Sequence, residues 1–338
     1  MWRFWFGCSV SLLCLWLAFR KVQLGELLRA VAEGNPLFLV FAVVAQLFAI
    51  TTRAQRWVVL LKERTRPADS FWVQSVGFLF TNVFPFRLGE PTRVLLMAKR
   101  CQLPTAQVAA SAIGERLLDV ASNVLLLLTV LPWMQVPSFV RQAALSFCVL
   151  GLAGISMLLL SVRFKFRCER ILLTICSRLS FLSAENVVGH WRGLVHGFLP
   201  LTHRRTVLRA AGWSLVTWAF TILVYWSVLQ TFQPDSRLVE AAFMVVALSF
   251  AVAVPSSPGF VGVFQLVGQQ ALTLPFGAKY DATGALAITL TAHLTYYIPT
   301  TVLGVVGLWR LGGSFMTLGR GLTRGRSNRK VRLEEPAS

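Results

Sequence analysis

Six stretches of this sequence run almost without charge, at residues 2–19, 36–50, 117–133, 143–162, 210–232 and 283–311, and the lysines and arginines collect in the gaps between them. A bilayer core about 30 Å thick is crossed by an α-helix of about 20 apolar residues, which is the scale of these stretches. In lipid every backbone donor and acceptor must be bonded within the protein, so the options are helices or a closed barrel. The runs are continuous rather than alternating, which selects helices. Only 14% of the residues are charged, against roughly 25% in an average soluble chain. That is too little charge to coat a water-facing globule of 338 residues. The expected fold class is all-α: a polytopic transmembrane helical bundle with about six full spans and two further, broken segments.

The formal net charge of +19 invites a nucleic-acid reading, which the placement of the charge excludes. Basic residues in the gaps between apolar spans follow the positive-inside bias. One arrangement leaves only Arg20, Lys21, Arg29, Arg141, Arg237 and Lys279 on the outer side and the other 27 of the 33 on the inner side. Both termini are then cytoplasmic, in a multi-pass protein of the inner (cytoplasmic) cell membrane. Arg3 and the run behind it read as a first span rather than a signal peptide. The run continues to Phe19 and ends in Arg20-Lys21 without a small-residue cleavage site, so a retained first span is expected. Arg53 and Arg56, at the end of the second stretch, are expected to snorkel to an interface.

Residues 1–311 read as one transmembrane domain, and residues 312–338 as a basic, disordered cytoplasmic tail. Within the domain, residues 163–209 hold nine arginines and lysines interleaved with Leu, Ile and Phe. This is the composition of helices lying on an anionic membrane face. The six cysteines form no C-x-x-C pair, so neither a metal site nor a redox motif is supported, and no cofactor is expected.

The two broken segments differ from the ordinary spans. The first is Asn82-Val83-Phe84-Pro85-Phe86-Arg87-Leu88-Gly89-Glu90-Pro91-Thr92-Arg93. The second is Val254-Pro255-Ser256-Ser257-Pro258-Gly259-Phe260-Val261-Gly262-Val263-Phe264-Gln265. Each has a short apolar lead, a proline, small residues and then an amphipathic run. Proline removes a backbone donor, and glycine lets the chain bend. Unwound backbone survives at membrane depth only inside protein or along a wet cavity. In the topology above the two breaks enter from opposite sides. Paired interruptions of opposite sense point to an inverted repeat and to a transporter-type site near the midplane.

Ionisable residues follow the first break. Glu115 and Asp119 stand four apart on one helical face, with Arg116 beside them. Charges this close to a span are costly and functional by default. In the last stretch, His293 and Tyr296 share a face. The candidate binding residues are therefore Asn82, Arg87, Glu90, Arg93, Glu115, Arg116, Asp119, Pro255, Ser256, Ser257, Gly259, Gln265, His293 and Tyr296. Three arginines and three carboxylates, Arg87, Glu90, Arg93, Glu115, Arg116 and Asp119, are expected to form one neutral cluster facing residues 255–259.

Taken together and in this order, the motifs Asn82…Pro85…Arg87-Leu88-Gly89-Glu90…Arg93, Glu115-Arg116-Leu117-Leu118-Asp119, Pro255-Ser256-Ser257-Pro258-Gly259…Gly262-Val263-Phe264 and Tyr296-Tyr297-Ile298-Pro299…Gly304 resemble the lysylphosphatidylglycerol synthase transmembrane region family, also called flippase-like. The resemblance covers most of the chain. It implies a membrane protein that moves, or helps make, lipids with a polar head: aminoacylated phospholipids, polyprenyl-linked sugars or hopanoid-type lipids. Two departures matter. Many relatives carry Glu where this chain has Gln265. The chain also ends about 27 residues after the last stretch, so no soluble aminoacyl-transferase domain is expected and the synthase activity is not carried over.

The sequence contains no nucleophile–base set and no metal-ligand cluster, so an enzyme is not expected. The leading expectation is a lipid flippase. Arg87 and Arg93 suit a phosphate through charge-assisted bonds. Glu90, Glu115 and Asp119 suit a cationic head or orient the arginines. The alternative is a non-transporting accessory subunit of a lipid or glycolipid pathway. The expected partners are membrane lipids (anionic phospholipid, polyprenyl-linked or aminoacylated lipid) and lipid-biosynthesis enzymes, and no nucleic acid.

Overall fold

The computed structural model describes residues 2–20, 22, 24–84, 87–134, 136–178, 184–252 and 257–312. Among these it contains thirteen α-helices and no strand. In chain order they are α1 (Trp2–Phe19), α2 (Leu24–Glu33), α3 (Pro36–Leu60), α4 (Pro67–Val83), α5 (Gly89–Cys101), α6 (Thr105–Val130), α7 (Ser138–Arg163), α8 (Lys165–Arg178), α9 (Ala184–Phe198), α10 (Arg204–Phe232), α11 (Leu238–Ala251), α12 (Val263–Phe276) and α13 (Ala282–Arg310). Helices α3, α6, α7 and α10 are long and apolar enough to cross a membrane. With α1 and the 29-residue α13, they stand where six spans are expected. At 1.5 Å per residue α13 is about 43 Å long, ample for a bilayer.

Helix ends follow the sequence. Asn35 caps α3 by accepting the Leu37 N–H at 3.0 Å, with Pro36 in the first turn. Asp281 caps α13 through the Thr283 and Gly284 N–H groups, both at 3.1 Å. Prolines 67, 104 and 137 stand at the starts of α4, α6 and α7, where a missing N–H costs nothing.

The two broken segments are pairs of short helices, α4 with α5 and α11 with α12. The three helices α5, α11 and α12 have 13 or 14 residues, about 20 Å, short of a full crossing. The order long helix, broken pair, long helix occurs twice, as α3–α4/α5–α6 and as α10–α11/α12–α13. The halves interlock through two antiparallel pairs. Along α3 and α10, Asn35 meets Thr231, Phe38 meets Trp226, Phe48 stacks on Phe220, Thr52 meets Thr217 and Arg56 meets Ser214. Along α13 and α4, Asn82 Nδ2 donates to the hydroxyls of Thr300 and Thr301 at 3.0 Å, and Gly304 and Gly307 sit against Leu79 and Trp72.

Residues 163–209 hold α8 and α9. Helix α9 is not wholly a surface element: Gly193 and Gly197 lie directly on Ala106 and Ala110 of α6, where a Cβ would come within 2.8 and 2.4 Å of those methyls. Of the basic side chains of the stretch, Arg163, Arg167, Arg170, Arg192, Arg204, Arg205 and Arg209 are exposed. Arg192 bonds Glu169 at 2.6 Å and holds its carboxyl below the usual range.

Candidate functional site: an arginine–carboxylate cluster on a central cavity

Glu115 lies on α6 about 15 Å from the start of that helix and is fully buried. Helix α6 begins at Thr105, twelve residues before the apolar run that marks it in the sequence, so Glu115, Arg116 and Asp119 sit inside the helix and not at a solvated end. A buried carboxylate needs partners, and Glu115 has two. Its Oε2 accepts from Arg93 Nη1 at 2.7 Å and its Oε1 from Arg56 Nη2 at 3.0 Å. Arg56 Nη2 is also 2.8 Å from Asp119 Oδ1, and its Nη1 donates to Ser214 Oγ at 3.1 Å. Arg93 Nε donates to Glu90 Oε2 at 2.9 Å. Its guanidinium lies 4.9 Å above the Trp57 ring, whose Nε1–H is fixed on Ser111 Oγ at 3.0 Å. Arg116 bridges Glu90 and, at 3.3 Å, Asp119.

This network corrects two expectations. Arg56 does not snorkel: α3 continues past the apolar run to Leu60, which carries Arg56 into the bundle, where its side chain is fully buried. The cluster is also not neutral. Arg53 and Arg56 of α3 join it, so five arginines face three carboxylates.

The two breaks meet beside this cluster. Gly259 lies against the Asn82 carbonyl and the Tyr297 ring, and the Tyr297 hydroxyl reaches that carbonyl at 3.5 Å. Arg87 sits 5.4 Å above the Phe260 ring. Both of these residues have left-handed backbones, with φ of 53° and 61°. Such conformations are strained for bulky side chains and gather at functional sites. Behind the second break, Gln265 Oε1 accepts the Gly262 N–H at 2.7 Å. Its Nε2 then donates to His293 Nδ1 at 2.8 Å, which leaves His293 Nε2–H to donate to the Gly259 carbonyl at 2.9 Å. His293 is thus a tie between α13 and the break.

A cavity of about 860 Å³ joins these parts. Its polar wall carries Arg53, Arg87, Glu90, Arg93, Arg116 and Asp119, and its far side His293 and Tyr296. The rest is largely apolar, including Leu95, Ile113, Phe147, Phe250 and Phe264. Of the other expected residues, Glu115 lies behind the wall, Asn82 and Gly259 form the junction of the breaks, and Gln265 supports His293. Ser257 turns its hydroxyl to the Val261 carbonyl at 3.0 Å and is not on the wall. Pro255 and Ser256 lie outside the described residues. Arg53, Arg56 and Trp218 are among the wall or cluster residues that the motifs did not flag.

A second polar group closes the far end of the bundle. Glu240 is buried and accepts from Tyr280 at 2.6 Å and Lys279 at 3.1 Å. Burial and this carboxylate push the Tyr280 hydroxyl above its ordinary range, so it stays a donor. The group is internally satisfied and off the cavity.

The family model described as "Lysylphosphatidylglycerol synthase TM region" matches residues 4–304. No curated protein and no solved structure gives a significant match to the chain.

Proposed function

The chain belongs to the lysylphosphatidylglycerol synthase TM region family, a family of membrane proteins tied to lipids, and on that footing we propose that it carries the polar head of a lipid across the membrane through the central cavity. One observation carries this reading: a single cavity couples an arginine–carboxylate wall to apolar walls, and residues of both breaks, Arg87, Gly89 and Phe260, line it. Such a space suits an amphiphile, with the head on the charged wall and the chains along Leu95, Ile113 and Phe147. The exchangeable ion pairs give the head partners as it enters, so neither the head nor the arginines stand unpaired in a low-dielectric site. The exposed surface of α8 and α9 would rest on the anionic inner leaflet, each exposed arginine adding about 1 kcal/mol of attraction.

The test is transport by purified protein in vesicles. Ile113, an exposed apolar residue of the wall, offers a plug that disturbs no buried contact. Ile113→Trp should slow lipid translocation about tenfold or more while thermal stability stays within roughly 0.5 kcal/mol, the usual range for a surface change. Unchanged transport would favour the accessory-subunit reading, in which the cavity is dispensable.

The proposed orientation places the ends of α3, α6 and α10 that hold the arginine cluster toward the cytoplasm. Reporters placed in the 133–142 region and at Ser338 should then give opposite readouts. Matching readouts would remove the orientation.

A further inference from the structure

The charge on the cavity wall is unequal, and the imbalance has an address. Among the described residues Arg53 and Arg87 line the cavity with no carboxylate in ion-pair reach, while Glu90, Glu115 and Asp119 are each held by two arginines. Two buried donors of the network, Arg93 Nη2 and Arg56 Nε, and the Trp218 Nε1 of a lining residue have no hydrogen-bond partner among the described residues. Arg56 is fully buried, and Arg93 and Trp218 are only 5% and 7% exposed. An unused guanidinium N–H in such a place costs the desolvation of a charged donor, and an excess of positive charge at membrane depth costs more. The excess of charge is relieved by one kind of ligand, an oxyanion. Guanidinium forks match the oxygens of a phosphate in shape as well as charge. The start of α5 adds to this, since Gly89 and Glu90 bring its positive end to the same wall.

We infer that the head taken by this cavity is a phosphate that no cation within the head neutralises: a phosphomonoester or unsubstituted phosphodiester, held by Arg53 and Arg87. A lipid whose phosphate is balanced by an ammonium, or overbalanced as in an aminoacylated head, is the wrong ligand, because it leaves the excess of the wall in place. The inference rests on the lipid-carrying reading for the source of the phosphate, though not for its chemistry.

Binding to the full-length protein in zwitterionic nanodiscs decides it. The probes are short-chain phosphatidic acid, phosphatidylglycerol, phosphatidylcholine, lysyl-phosphatidylglycerol and inorganic phosphate, read by competition against a labelled anionic lipid. The two anionic lipids should bind at least about tenfold more tightly than the zwitterionic and cationic ones. Arg53→Gln and Arg87→Gln should each remove about tenfold of that preference, on the scale of one charged hydrogen bond. Neither arginine holds a carboxylate, so neither variant strands a buried acid, and both should fold. Equal or tighter binding of the choline or lysyl lipid, or full anionic preference in both variants, overturns the inference. If inorganic phosphate competes as well as phosphatidic acid, the oxyanion chemistry stands and the lipid reading falls. Anionic preference in binding without any transport likewise supports the inference against the transport reading. Transport of every head at one rate, with no binding preference, does the reverse.

Discussion

Glu115→Ala should lower the stability of the protein by about 3–5 kcal/mol, the effect of removing one partner from a buried ion pair. The reason is that among the described residues Glu115 is the only acid that touches both Arg56 and Arg93, and its removal leaves two guanidiniums underpaired among side chains with almost no access to solvent. Asp119 remains for Arg56 and Glu90 for Arg93, which keeps the loss from being larger. Glu115→Gln retains the shape and part of the hydrogen bonding but not the charge, so it should fall between alanine and the native residue. A contrast sharpens the test. Arg116 has a side chain 47% exposed on the cavity wall, and exposed pairs are worth about 0–1 kcal/mol. Arg116→Gln should therefore barely move the melting temperature. A Glu115→Ala protein as stable as Arg116→Gln would mean that the network is not the centre of the fold. The readout is thermal unfolding of the purified protein in one detergent.

Gly259→Ala should be the second severe change, at about 2–5 kcal/mol. Two terms combine. The backbone at Gly259 is left-handed, with φ of 66°, and a Cβ there costs roughly 1–2 kcal/mol. The same Cβ would stand 2.7 Å from Tyr297 Cε2, and forcing atoms into a packed site costs typically 1–3 kcal/mol. Any shift that relieves the contact pulls the Gly259 carbonyl from His293 and opens the junction with Asn82. The structure supplies its own control. Shortening the ring with Tyr297→Leu should recover the steric part and leave the backbone part. If the double variant recovers nothing, the close approach is not what makes glycine necessary.

Both changes fall at places that the sequence signals unevenly. The bundle is legible because lipid demands long apolar helices, and because the caps at Asn35 and Asp281 and the prolines at 67, 104 and 137 mark their starts. The two breaks are legible for the same reason in reverse: Pro85 and Gly89, Pro258 and Gly259 interrupt apolar runs that are too short to cross. The i, i+4 spacing of Glu115 and Asp119 exposes their shared face. Their partners are another matter. Arg56 is 59 residues away from Glu115 in the chain, on a helix whose apolar run has already ended, and nothing local says that α3 continues inward. Only the antiparallel packing of α3 on α10, through Thr52, Thr217 and Ser214, aims Arg56 at α6. That contact also turns a cluster that looked neutral into one with spare positive charge. The tie from Gln265 through His293 to Gly259 is hidden for a similar reason, because it joins residues 28 and 34 positions apart across two helices.

Transport by Glu90→Gln tests the central claim most directly. Glu90 joins Arg93 to Arg116 on the cavity wall, and its side chain is 37% exposed, so its amide should fold where Glu115→Ala fails. The claim is that a lipid head crosses by exchanging partners with these ion pairs. Native and variant proteins would be reconstituted at equal density in vesicles, and the flip of an anionic fluorescent lipid measured against protein-free vesicles. The account predicts that the native protein moves the lipid and that Glu90→Gln falls to within a few percent of the protein-free background. Native-rate transport by a folded Glu90→Gln protein would contradict it and leave these charges as struts of the bundle.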